Sequence, residues 1–486
     1  MKVGFASLDI TPPLGSETPG GFTKICLWDI YDPLHIKAAV FENDGVKVAL
    51  VSVDALSIKA STVKVAREIA EKKTCGIPST NIMVGASHTH QGGPVVEWSG
   101  DPENLVPNSS NPGLIKRLLE TAPSADRNYL DMLAYKIASA IALADKRRVE
   151  AVCNVGLGRE DKASFNRRFK MKNGRQMTHP GKGNSDIIEP AGPIDPDVGV
   201  IGTWSLNGEF LGCVVNFACH GTAMGGNGYS ADWPYYLDKT IRSLMGEDSI
   251  VVFLNGACGD ITQVNNLSLR AIEFGEAAAR RVGQRVGAEV LKVLADANIE
   301  IGSGESKPIA ASQKFLQLER RKVTPERLKW AYEIVDKKKP QEDYRWVFAR
   351  DIILLSELNK IEPRVTCEIQ AIQIGPAIFI SNPTELFCQL GLEIKATSHF
   401  PYTFVVGLAN GCIGYVPTGE AMGPLGGGYE TRMGMHSFLV PTAGRDIVRA
   451  SIKLIKQFTS GRVPEPKKVK EPGKPWDYGS VGPEEV

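Results

Sequence analysis

The most regular pattern in this sequence is a series of short apolar runs, each followed by small residues and a chemically reactive side chain. The runs, with the side chains that follow them, are 82–86 with His88 and His90, 211–217 with His220, 250–254 with Asp260, 377–380 with Glu385, and 404–408 with Tyr415. Apolar runs of this length between turn residues are typical of buried strands. In open α/β sheets the ligand crevice lies at the carboxyl ends of the strands. We therefore expect these side chains to converge at one edge of a sheet.

Helical periodicity occupies much of the chain between these runs. Residues 60–73 place Val63, Ala66 and Ala70 on one face, between strands predicted at 46–54 and 82–86. A strand, a helix and a second strand in succession predict a βαβ unit, the usual origin of a parallel pair. Further helices are predicted at 128–145, 233–245, 269–297, 324–360, 384–398 and 443–458.

The succession of strands and helices predicts an α/β fold. We expect a single large domain with a mixed β-sheet core flanked by helices and an active site at the carboxyl ends of the strands. Residues 1–461 are assigned to this domain, and residues 462–486 to an extended tail rich in proline, lysine and glutamate. The segments 95–127 and 165–197 are predicted to be long loops, which often act as lids or binding loops. The charged stretch 324–360 is predicted to be an exposed excursion from the sheet.

Composition narrows the kinds of partner that we expect. The chain has 486 residues, with 56 lysine and arginine against 55 aspartate and glutamate, and lacks the basic excess of a nucleic-acid-binding protein. No apolar stretch approaches the ~20 residues that cross a bilayer, and the first residues lack the apolar core of a secretory signal. The nine cysteines are scattered, mostly in apolar runs, as buried free thiols are. We therefore expect a cytoplasmic protein that acts on a small molecule, with no nucleic acid and no integral membrane segment; a homo-oligomer is left open.

His88 and His90 are the first candidates for metal binding. In an extended strand residues two apart point to the same side, so both imidazoles can face a metal or a substrate unless the chain turns between them. The alternative for an isolated His-x-His is a hydrogen-bonded strand end. With His220 and Glu385, which follow other apolar runs, the pair supplies the two or three histidines and one glutamate known for catalytic zinc.

The other candidates have alternatives that concern structure alone. Glu385 is also explained as a carboxylate near a helix N-terminus, and Asp232 as either a helix N-cap or a support for the site. Arg167 or Arg168 is either a clamp for an anionic or carbonyl group or a solvated surface side chain. Structural alternatives also apply to Tyr415, Asp260 and Thr262. The histidines that we predict to be structural are His35, His179, His399 and His436.

Other hydrolase patterns fit this sequence less well. An amidohydrolase barrel carries His-x-His on its first strand and needs two later histidines and an aspartate, whereas only His220 follows in a suitable context. A metallo-β-lactamase needs an aspartate and another histidine directly after the first pair, where this chain has Gln91, Gly92 and Gly93. The sequence has no Gly-x-Ser-x-Gly elbow to support a serine hydrolase.

Several short segments occur along the chain in an order that a known family shares. They are Asp9-Ile10-Thr11, Val51-Ser52-Val53-Asp54, Ser87-His88-Thr89-His90, Asn166-Arg167, His220-Gly221-Thr222, Ser230-Ala231-Asp232, Gly259-Asp260-Ile261-Thr262, Glu385, Gly407-Leu408-Ala409-Asn410 and Gly414-Tyr415-Val416. The ordered set resembles the catalytic domain of the neutral/alkaline (non-lysosomal) ceramidases. It extends from the first predicted strand to about residue 440. The resemblance rests on the order of the segments, since no single one is specific.

This resemblance implies a set of functional residues and a reaction. The metal ligands that it implies for one zinc ion are His88, His220, Glu385 and Tyr415, with His90 and Arg167 beside the reacting carbonyl. The implied reaction is amide hydrolysis, in which zinc lowers the pKa of bound water and polarises the carbonyl. A nearby carboxylate or histidine manages the proton, and Tyr415 or Arg167 stabilises the oxyanion. The residues for which we predict catalytic roles are His90, Arg167, Tyr415, Thr262 and Asp260.

Two departures from the family bear on the substrate. Ceramidases carry a serine where this chain has Thr262, and Gln263 and Val264 replace the Pro-Asn that follows it. The sequence also lacks the secretory signal and the carboxyl-terminal sandwich domain of secreted ceramidases. We predict a zinc-dependent amidohydrolase that cleaves the N-acyl bond of a lipid or polar small molecule. The alternatives are a zinc-dependent deacetylase or esterase acting on a carbohydrate or other small polar substrate, and a non-catalytic binding protein of the same fold.

Overall fold

Two β-sheets form the core of this protein. The computed structural model describes residues 1–96, 111–120, 122–269, 273–296, 308–338, 343–463 and 473–483. The strands of the larger sheet are β1 (Lys2–Asp9), β2 (His35–Asn43), β3 (Val46–Val53), β4 (Ile82–Ala86), β5 (Val149–Arg159), β6 (Asp197–Ser205), β7 (Phe210–Phe217) and β8 (Ile250–Asn255). Their order across the sheet, within the described residues, is β8-β7-β6-β5-β1-β2-β3-β4.

The smaller sheet comes from the later part of the chain. Its strands are β9 (Ile309–Glu319), β10 (Arg364–Ile374), β11 (Ala377–Ser381) and β12 (Tyr402–Val406), which neighbour one another in that order. Short strands outside the two sheets are Glu17–Thr18, Ile25–Cys26, Asp29–Ile30, Phe165–Asn166, Arg168–Met171, Gln176–Thr178, Ile187–Pro190, Gly228–Tyr229, Ile261–Thr262, Glu385–Leu386 and Tyr415–Val416.

Helices connect many of these strands. The α-helices in the described parts of the chain are α1 (Ala60–Ile69), α2 (Pro112–Leu119), α3 (Arg127–Lys146), α4 (Trp233–Met245), α5 (Glu276–Ala295), α6 (Pro325–Lys337), α7 (Arg345–Ile361), α8 (Cys388–Thr397) and α9 (Ala443–Ile455). Helix α1 continues as a π-helical turn over Ala70–Thr74, and short 3-10 turns occupy Ser79–Asn81 and Tyr429–Thr431.

Parallel strand pairs determine where a site can form. Within the described residues the pairs β3/β4, β7/β8 and β11/β12 are parallel, and α1, α4 and α8 lie between their strands in the sequence. The other neighbouring pairs in the two sheets are antiparallel. A parallel pair needs such a crossover, because the second strand must start at the edge where the first one started. Both strands of each pair therefore deliver their carboxyl ends to one edge, and the βαβ unit predicted at 46–86 is confirmed.

The two sheets pack face to face, and helices cover their outer faces. A buried cluster between the sheets joins Phe41 and Leu50 of the larger sheet to Phe379 and Phe404 of the smaller one. Helices α1 and α3 cover one half of the larger sheet, and α4 and α5 cover the other half. Helices α6 to α9 pack against the smaller sheet. The predicted α/β fold with a mixed sheet flanked by helices is confirmed, and the second sheet adds a layer that the sequence pattern did not predict.

The charged stretch 324–360 differs from its prediction. Helix α6 is mostly accessible, but α7 has ten buried residues, among them the apolar run Ile352–Leu355. This run belongs to the cluster that covers the smaller sheet. Charged residues on α6 and before α7, together with Arg350 and Asp351 directly before this run, make the stretch polar in overall composition although the run itself is buried. The prediction of an exposed excursion was wrong.

Two predicted helices begin later than expected. The helix predicted at 384–398 begins at Cys388, because Glu385–Leu386 forms a short parallel strand with Tyr415–Val416. Glu385 therefore lies two residues before the N-cap Phe387 of this helix rather than in its first turn. The helix predicted at 269–297 begins at Glu276.

Some predictions fall partly outside the described residues. Of the predicted loop 95–127, residues 97–110 and 121 lie outside them, whereas the rest includes α2 and the start of α3. Residues 464–472 and 484–486 of the predicted tail also lie outside them. The division into a domain at 1–461 and a tail at 462–486 stays a prediction.

The burial of most cysteines agrees with an expectation from composition. The buried free cysteines are Cys153, Cys213, Cys219, Cys258, Cys367 and Cys388. In the described part of the chain, no helix combines the length and apolarity needed to cross a membrane. The cytoplasmic location stays a prediction.

Candidate active site

His88 and His90 lie in the turn that follows β4. The strand ends at Ala86, and His88 has a left-handed backbone with φ of 69°. This conformation is uncommon outside glycine and is often found at functional sites. The strand alternation that predicted a common orientation has therefore ended before His88. The two rings still approach to 5.0 Å between centroids, because the chain folds back in this turn.

A third histidine, His220, is brought beside this pair by contacts between loops. It follows β7, and the backbone N–H of His90 donates to the carbonyl of Gly221 at 3.0 Å. The ring centroids of His88 and His220 lie 4.5 Å apart. His220 is fully buried. The loops after β4 and β7 thus present their imidazoles to one point.

Backbone carbonyls fix the Nδ1 atom of each of these histidines. The distances to Nδ1 are 2.8 Å from the oxygen of Leu56 to His88, 3.1 Å from that of Gly20 to His90, and 2.7 Å from that of Cys258 to His220. Since a carbonyl oxygen only accepts, each Nδ1 carries a proton and each Nε2 keeps its lone pair in the neutral imidazole. This is the tautomer in which Nε2 can bind a metal.

A short parallel strand pair brings Glu385 and Tyr415 to the same point. These residues begin the two strands and lie directly opposite each other. Oε2 of Glu385 lies 3.3 Å from Nε2 of His88 and 3.2 Å from Nε2 of His220. Oη of Tyr415 lies 3.3 Å from Nε2 of His220. Glu385 follows β11 and Tyr415 follows β12, so the smaller sheet supplies this half of the cluster.

The spacing of these atoms fits the ligands of one metal ion. One ring nitrogen from each of His88, His90 and His220 lies within 4.8 Å of the others. Among the described residues, Nε2 of His88, Nε2 of His90 and Oε2 of Glu385 are buried without a hydrogen-bond partner. Tetrahedral zinc with ligands at about 2.0–2.1 Å separates its ligand atoms by about 3.3–3.4 Å. The spacings of 3.2–3.3 Å at Glu385 and Tyr415 match that value.

The protonation states of the cluster suit a cation. Burial opposes ionisation of Glu385, yet His88 and His220 hold the pKa of this carboxyl well below its usual range. Burial lowers the pKa of His90 to about 3. Burial, aided by the positive charge of Arg167, also places the pKa of His220 well below its usual value. Neutral imidazoles beside an ionised carboxylate are the forms that bind a metal.

Arg167 connects this cluster to a second buried carboxylate. Its Nη2 donates to Tyr415 Oη at 3.1 Å and to the carbonyl of Gly259 at 2.9 Å, while its Nε donates to Glu430 at 2.6 Å. Burial opposes ionisation of Glu430, but Arg167 and Arg168 hold its pKa below the usual value. Arg167 is only 6% exposed. The alternative of a solvated surface arginine is therefore excluded.

Asp260 and Thr262 are buried near this edge, but their hydrogen bonds are with protein groups. Asp260 accepts from the backbone N–H of Cys388 and from the side-chain amide of Asn166, both at 2.8 Å. The first contact holds the start of α8. Thr262 donates to the side chain of Gln263 at 2.9 Å. The catalytic roles of Asp260 and Thr262 stay predictions.

Asp232 combines the two roles that the sequence left open. Its carboxylate accepts from the N–H of Trp233 at 2.6 Å, at the start of α4. It also accepts from the N–H groups of Ala223 and Met224, at 3.2 and 2.6 Å. The N-cap is confirmed, and the same carboxylate fixes the loop that follows His220.

Three further residues that support the cluster were not singled out from the sequence. Asn255, at the end of β8, donates to the carbonyls of Ser87 and Cys219 at 3.1 and 3.0 Å and ties the two histidine loops together. Tyr429 lies edge-on to Tyr415, with ring centroids 5.5 Å apart. Glu430 comes next in the chain. In the sequence, Asn255 stands out only as a polar residue at the end of an apolar run, and Tyr429 and Glu430 follow a run of glycines. A glycine run indicates a turn and does not identify a functional residue.

Solved structures of other proteins share the fold described above. No family model matches the sequence, and no curated protein matches it. The chain is similar to the neutral ceramidase from Pseudomonas aeruginosa, with 17% identity and a TM-score of 0.69 over 96% of this chain and 76% of that one. It is also similar to a ceramidase complexed with C2, with 16% identity and a TM-score of 0.68 over 96% of this chain and 77% of that one. At these identities the likeness establishes the fold.

Proposed function

We propose that this protein is a zinc-dependent hydrolase that cleaves the N-acyl amide bond of a small molecule. The observation that carries this proposal is the convergence of three imidazoles with Oε2 of Glu385. Nε2 of His88, Nε2 of His90 and Oε2 of Glu385 have no hydrogen-bond partner among the described residues. Histidines with one glutamate are a ligand set of catalytic zinc. The ceramidase fold supports an N-acyl amide as the bond that is cleaved.

The residues that would hold the ion are His88, His220, Glu385 and Tyr415. Zinc bound there supplies Lewis-acid polarisation of a carbonyl and lowers the pKa of water. The carbonyl groups of Leu56 and Cys258 orient His88 and His220, so the two Nε2 atoms are fixed before any ion binds.

Arg167 is the donor for negative charge that develops on the substrate carbonyl. Its guanidinium is held by Glu430 at 2.6 Å and reaches Tyr415 Oη at 3.1 Å. A guanidinium stays protonated at any working pH. A donor fixed in advance and shielded from water stabilises an oxyanion far better than a solvated one does.

His90 offers a buried acceptor to the reacting group. Gly20 fixes its Nδ1–H, and its Nε2 is buried without a partner in the described residues. Since burial lowers the pKa of His90 to about 3, this nitrogen accepts a hydrogen bond more readily than it takes up a proton. We therefore assign His90 to orienting the substrate or the attacking water.

The test combines metal analysis with a substrate panel. Purified wild type is expected to contain one equivalent of zinc and to hydrolyse N-acyl amides, whereas His88→Ala and His220→Ala are expected to lose both properties. His399→Ala is the matched control, because His399 is exposed and bonds only to the carbonyl of Phe458 among the described contacts. Wild type without zinc, or both cluster variants binding zinc as well as wild type, would contradict the proposal.

The substrate panel distinguishes the proposed amide hydrolase from a carbohydrate deacetylase and from a binding protein. It contains N-acyl sphingosines, simple N-acyl amines and acetylated sugars at equal concentration. Release of acid from the amides supports the proposal. Release from the sugars alone supports a carbohydrate deacetylase, and zinc binding without any turnover supports a binding protein.

A further inference from the structure

A cavity of about 480 Å³ lies between the larger sheet and helix α4. Strands β1, β2 and β3 form one side of it, and α4 with the start of β8 forms the other. Its described lining shares no residue with the candidate cluster. Sites for small molecules have volumes of about 300–1,000 Å³, so this cavity is large enough to hold a ligand of its own.

A row of polar side chains crosses the three strands that line this cavity. Ser7 lies directly opposite Lys37, and Lys37 lies directly opposite Ser52. Because side chains alternate along a strand, the row shares a face of the sheet with Phe5 and Leu50, which belong to the apolar cluster between the two sheets. The cavity therefore lies where the apolar interior ends and the sheet presents polar groups.

Most charged groups of the lining are paired with one another. Nζ of Lys37 lies 3.1 Å from Oδ1 of Asp238, and Nη1 of Arg242 lies 3.3 Å from Oδ2 of the same aspartate. Nη2 of Arg242 also lies 3.4 Å from the exposed Glu247. The described lining contains four carboxylates but only one lysine and one arginine. The cavity therefore has an excess of negative charge.

Asp54 is the buried carboxylate that this pairing leaves over. It is only 5% exposed, and its Oδ2 accepts from the backbone N–H of His35 at 2.9 Å. Among the described residues, no group donates to its Oδ1 and no lysine or arginine forms an ion pair with it. Burial raises the pKa of this carboxyl, and the charge of Lys37 opposes the rise. A buried carboxylate oxygen without a partner is best satisfied by a positively charged donor.

We propose that this cavity binds the ammonium group of a small organic amine, with Asp54 as its acceptor. The carbon chain of the amine would cover the apolar side chains in the lining, which include Val251 and Phe253. Asp238 balances the charge of Lys37, so the neighbouring cation does not prevent binding. A metal ion fits less well, because Asp54 belongs to no group of potential ligands in the described part of the chain that is close enough to hold one.

Two kinds of molecule carry an ammonium group on a short carbon chain. One is a simple primary amine, and the other is a free amino acid. The amino acid also carries a carboxylate, which the donors of the polar row, Ser7, Lys37 and Ser52, could bind. The site requires no amide hydrolysis, so this inference goes beyond the proposed function and does not depend on it.

The test compares three probes with carbon chains of similar size, n-butylamine, 1-butanol and norvaline. Their dissociation constants are measured on the zinc-loaded full chain by ligand-observed NMR at about pH 7, where a primary amine is protonated. Wild type is expected to bind n-butylamine about tenfold more tightly than 1-butanol, which is the worth of one hydrogen bond between charged groups. Tighter binding of norvaline than of n-butylamine indicates a free amino acid, and weaker binding indicates a simple amine.

Variants decide whether the amine binds at Asp54. Asp54→Asn keeps the size of the side chain and removes its charge, so it is expected to lose the tenfold preference for n-butylamine. Ser7→Leu fills part of the cavity and leaves every charge in place, so it is expected to weaken binding of n-butylamine by an independent route. Asp131→Asn, at an exposed position on α3, and His88→Ala, in the candidate cluster, are both expected to bind n-butylamine as wild type does.

Four results would overturn the inference. The first is equal binding of n-butylamine and 1-butanol by wild type, and the second is the absence of any binding. The third is an undiminished preference for n-butylamine in a folded Asp54→Asn protein; if that variant does not fold, unchanged binding by Ser7→Leu has the same meaning. The fourth is loss of binding in His88→Ala, which would place the amine at the candidate cluster instead.

Discussion

A buried polar atom without a hydrogen-bond partner costs about 1–3 kcal/mol. Nε2 of His88, Nε2 of His90 and Oε2 of Glu385 all have this property among the described residues, and they lie together. Unpaired groups that cluster in this way weaken the fold unless something binds to them. A cation would satisfy these groups together, which is why the cluster is better explained as a binding site than as a fault in packing.

The ion pair between Arg167 and Glu430 gives a prediction about a single residue. Glu430→Gln keeps the shape of the side chain but leaves the guanidinium without its nearest carboxylate. We expect the free energy of unfolding to fall by about 3 kcal/mol, as for other buried pairs that lose one partner. Urea unfolding measures the change.

The control for this prediction is Glu209→Gln, at an exposed position in the turn between β6 and β7. It is expected to change the free energy of unfolding by less than about 0.5 kcal/mol. Equal effects of the two substitutions on the free energy of unfolding would show that the buried ion pair does not stabilise the protein more than an exposed glutamate does. If Glu430→Gln also slows amide hydrolysis while the zinc content is unchanged, this result would show that the reaction depends on how Glu430 holds the guanidinium of Arg167 in place.

Asp32 gives a prediction about pH. Burial raises the pKa of Asp32 to about 7, although Ser230 Oγ and the N–H of Ala231 donate to it at 2.5 and 2.7 Å. The unfolded carboxyl titrates near ~3.9, so the folded state binds more protons between these values. Stability from this group is therefore greatest at low pH and is lost as pH rises towards 7.

The substitution Asp32→Asn removes this titration and can still accept from the N–H of Ala231, while its amide N–H can donate to Ser230 Oγ in place of the bond that Ser230 donates. We expect its melting temperature, relative to wild type, to rise between pH 5 and pH 8. Thermal melts at both pH values measure this difference, with Asp131→Asn on the exposed side of α3 as the control. A difference that does not change with pH would contradict the assignment.

At the scale of secondary-structure elements, α4 and α5 lie close together because α5 has a glycine where they meet. A Cβ on Gly283 would lie 2.5 Å from the carbonyl oxygen of Trp233 and 2.6 Å from the backbone N of Leu237. The helices therefore cannot stay at this distance with any larger residue. Gly283 is one place where close packing outweighs helix propensity.

The prediction for this pair of helices reverses the usual rule. Alanine is better than glycine inside a helix by about 1 kcal/mol, yet Gly283→Ala is expected to lower the free energy of unfolding by about 1–3 kcal/mol through overpacking. Ala288→Gly, on the exposed side of α5, is expected to cost about 1 kcal/mol through propensity alone. Chemical denaturation compares the two, and a Gly283→Ala protein more stable than wild type would refute the argument.

At the scale of the whole molecule, the candidate cluster joins the two sheets. His88, His90 and His220 follow strands of the larger sheet, whereas Glu385 and Tyr415 follow strands of the smaller one. An ion held by ligands from both sheets cross-links the two layers. It stabilises the folded state by an amount that increases with the ratio of the ion concentration to its dissociation constant.

This arrangement predicts that zinc raises thermal stability, whatever the substrate. At a thousandfold excess over the dissociation constant the gain is about 4 kcal/mol, which corresponds, for a chain of 486 residues, to a rise in melting temperature of about 4 °C. Chelation followed by readdition of zinc measures it by scanning calorimetry. His88→Ala should melt at the same temperature with and without zinc, and a zinc-independent melting temperature in wild type would argue against the cross-link.

The sequence by itself determined the local elements and the side chains that follow them. Periodicity reports which face of a segment is buried, so the βαβ unit at 46–86 and most of the helices could be predicted from it. Parallel strands share one edge, so the approach of His88, His220, Glu385 and Tyr415 could be expected from strand ends together with the ceramidase resemblance. The ligand roles themselves stay predictions.

The tertiary structure alone decided what covers each buried face. The second sheet, the buried α7 and the strand position of Glu385 depend on neighbours that periodicity does not identify. Glu430 is 263 residues away from Arg167 in the sequence, and Asn255 is 168 residues away from Ser87. Contacts over such separations form only when the chain is folded, because no local pattern records which distant residue will complete a buried ion pair or hydrogen bond.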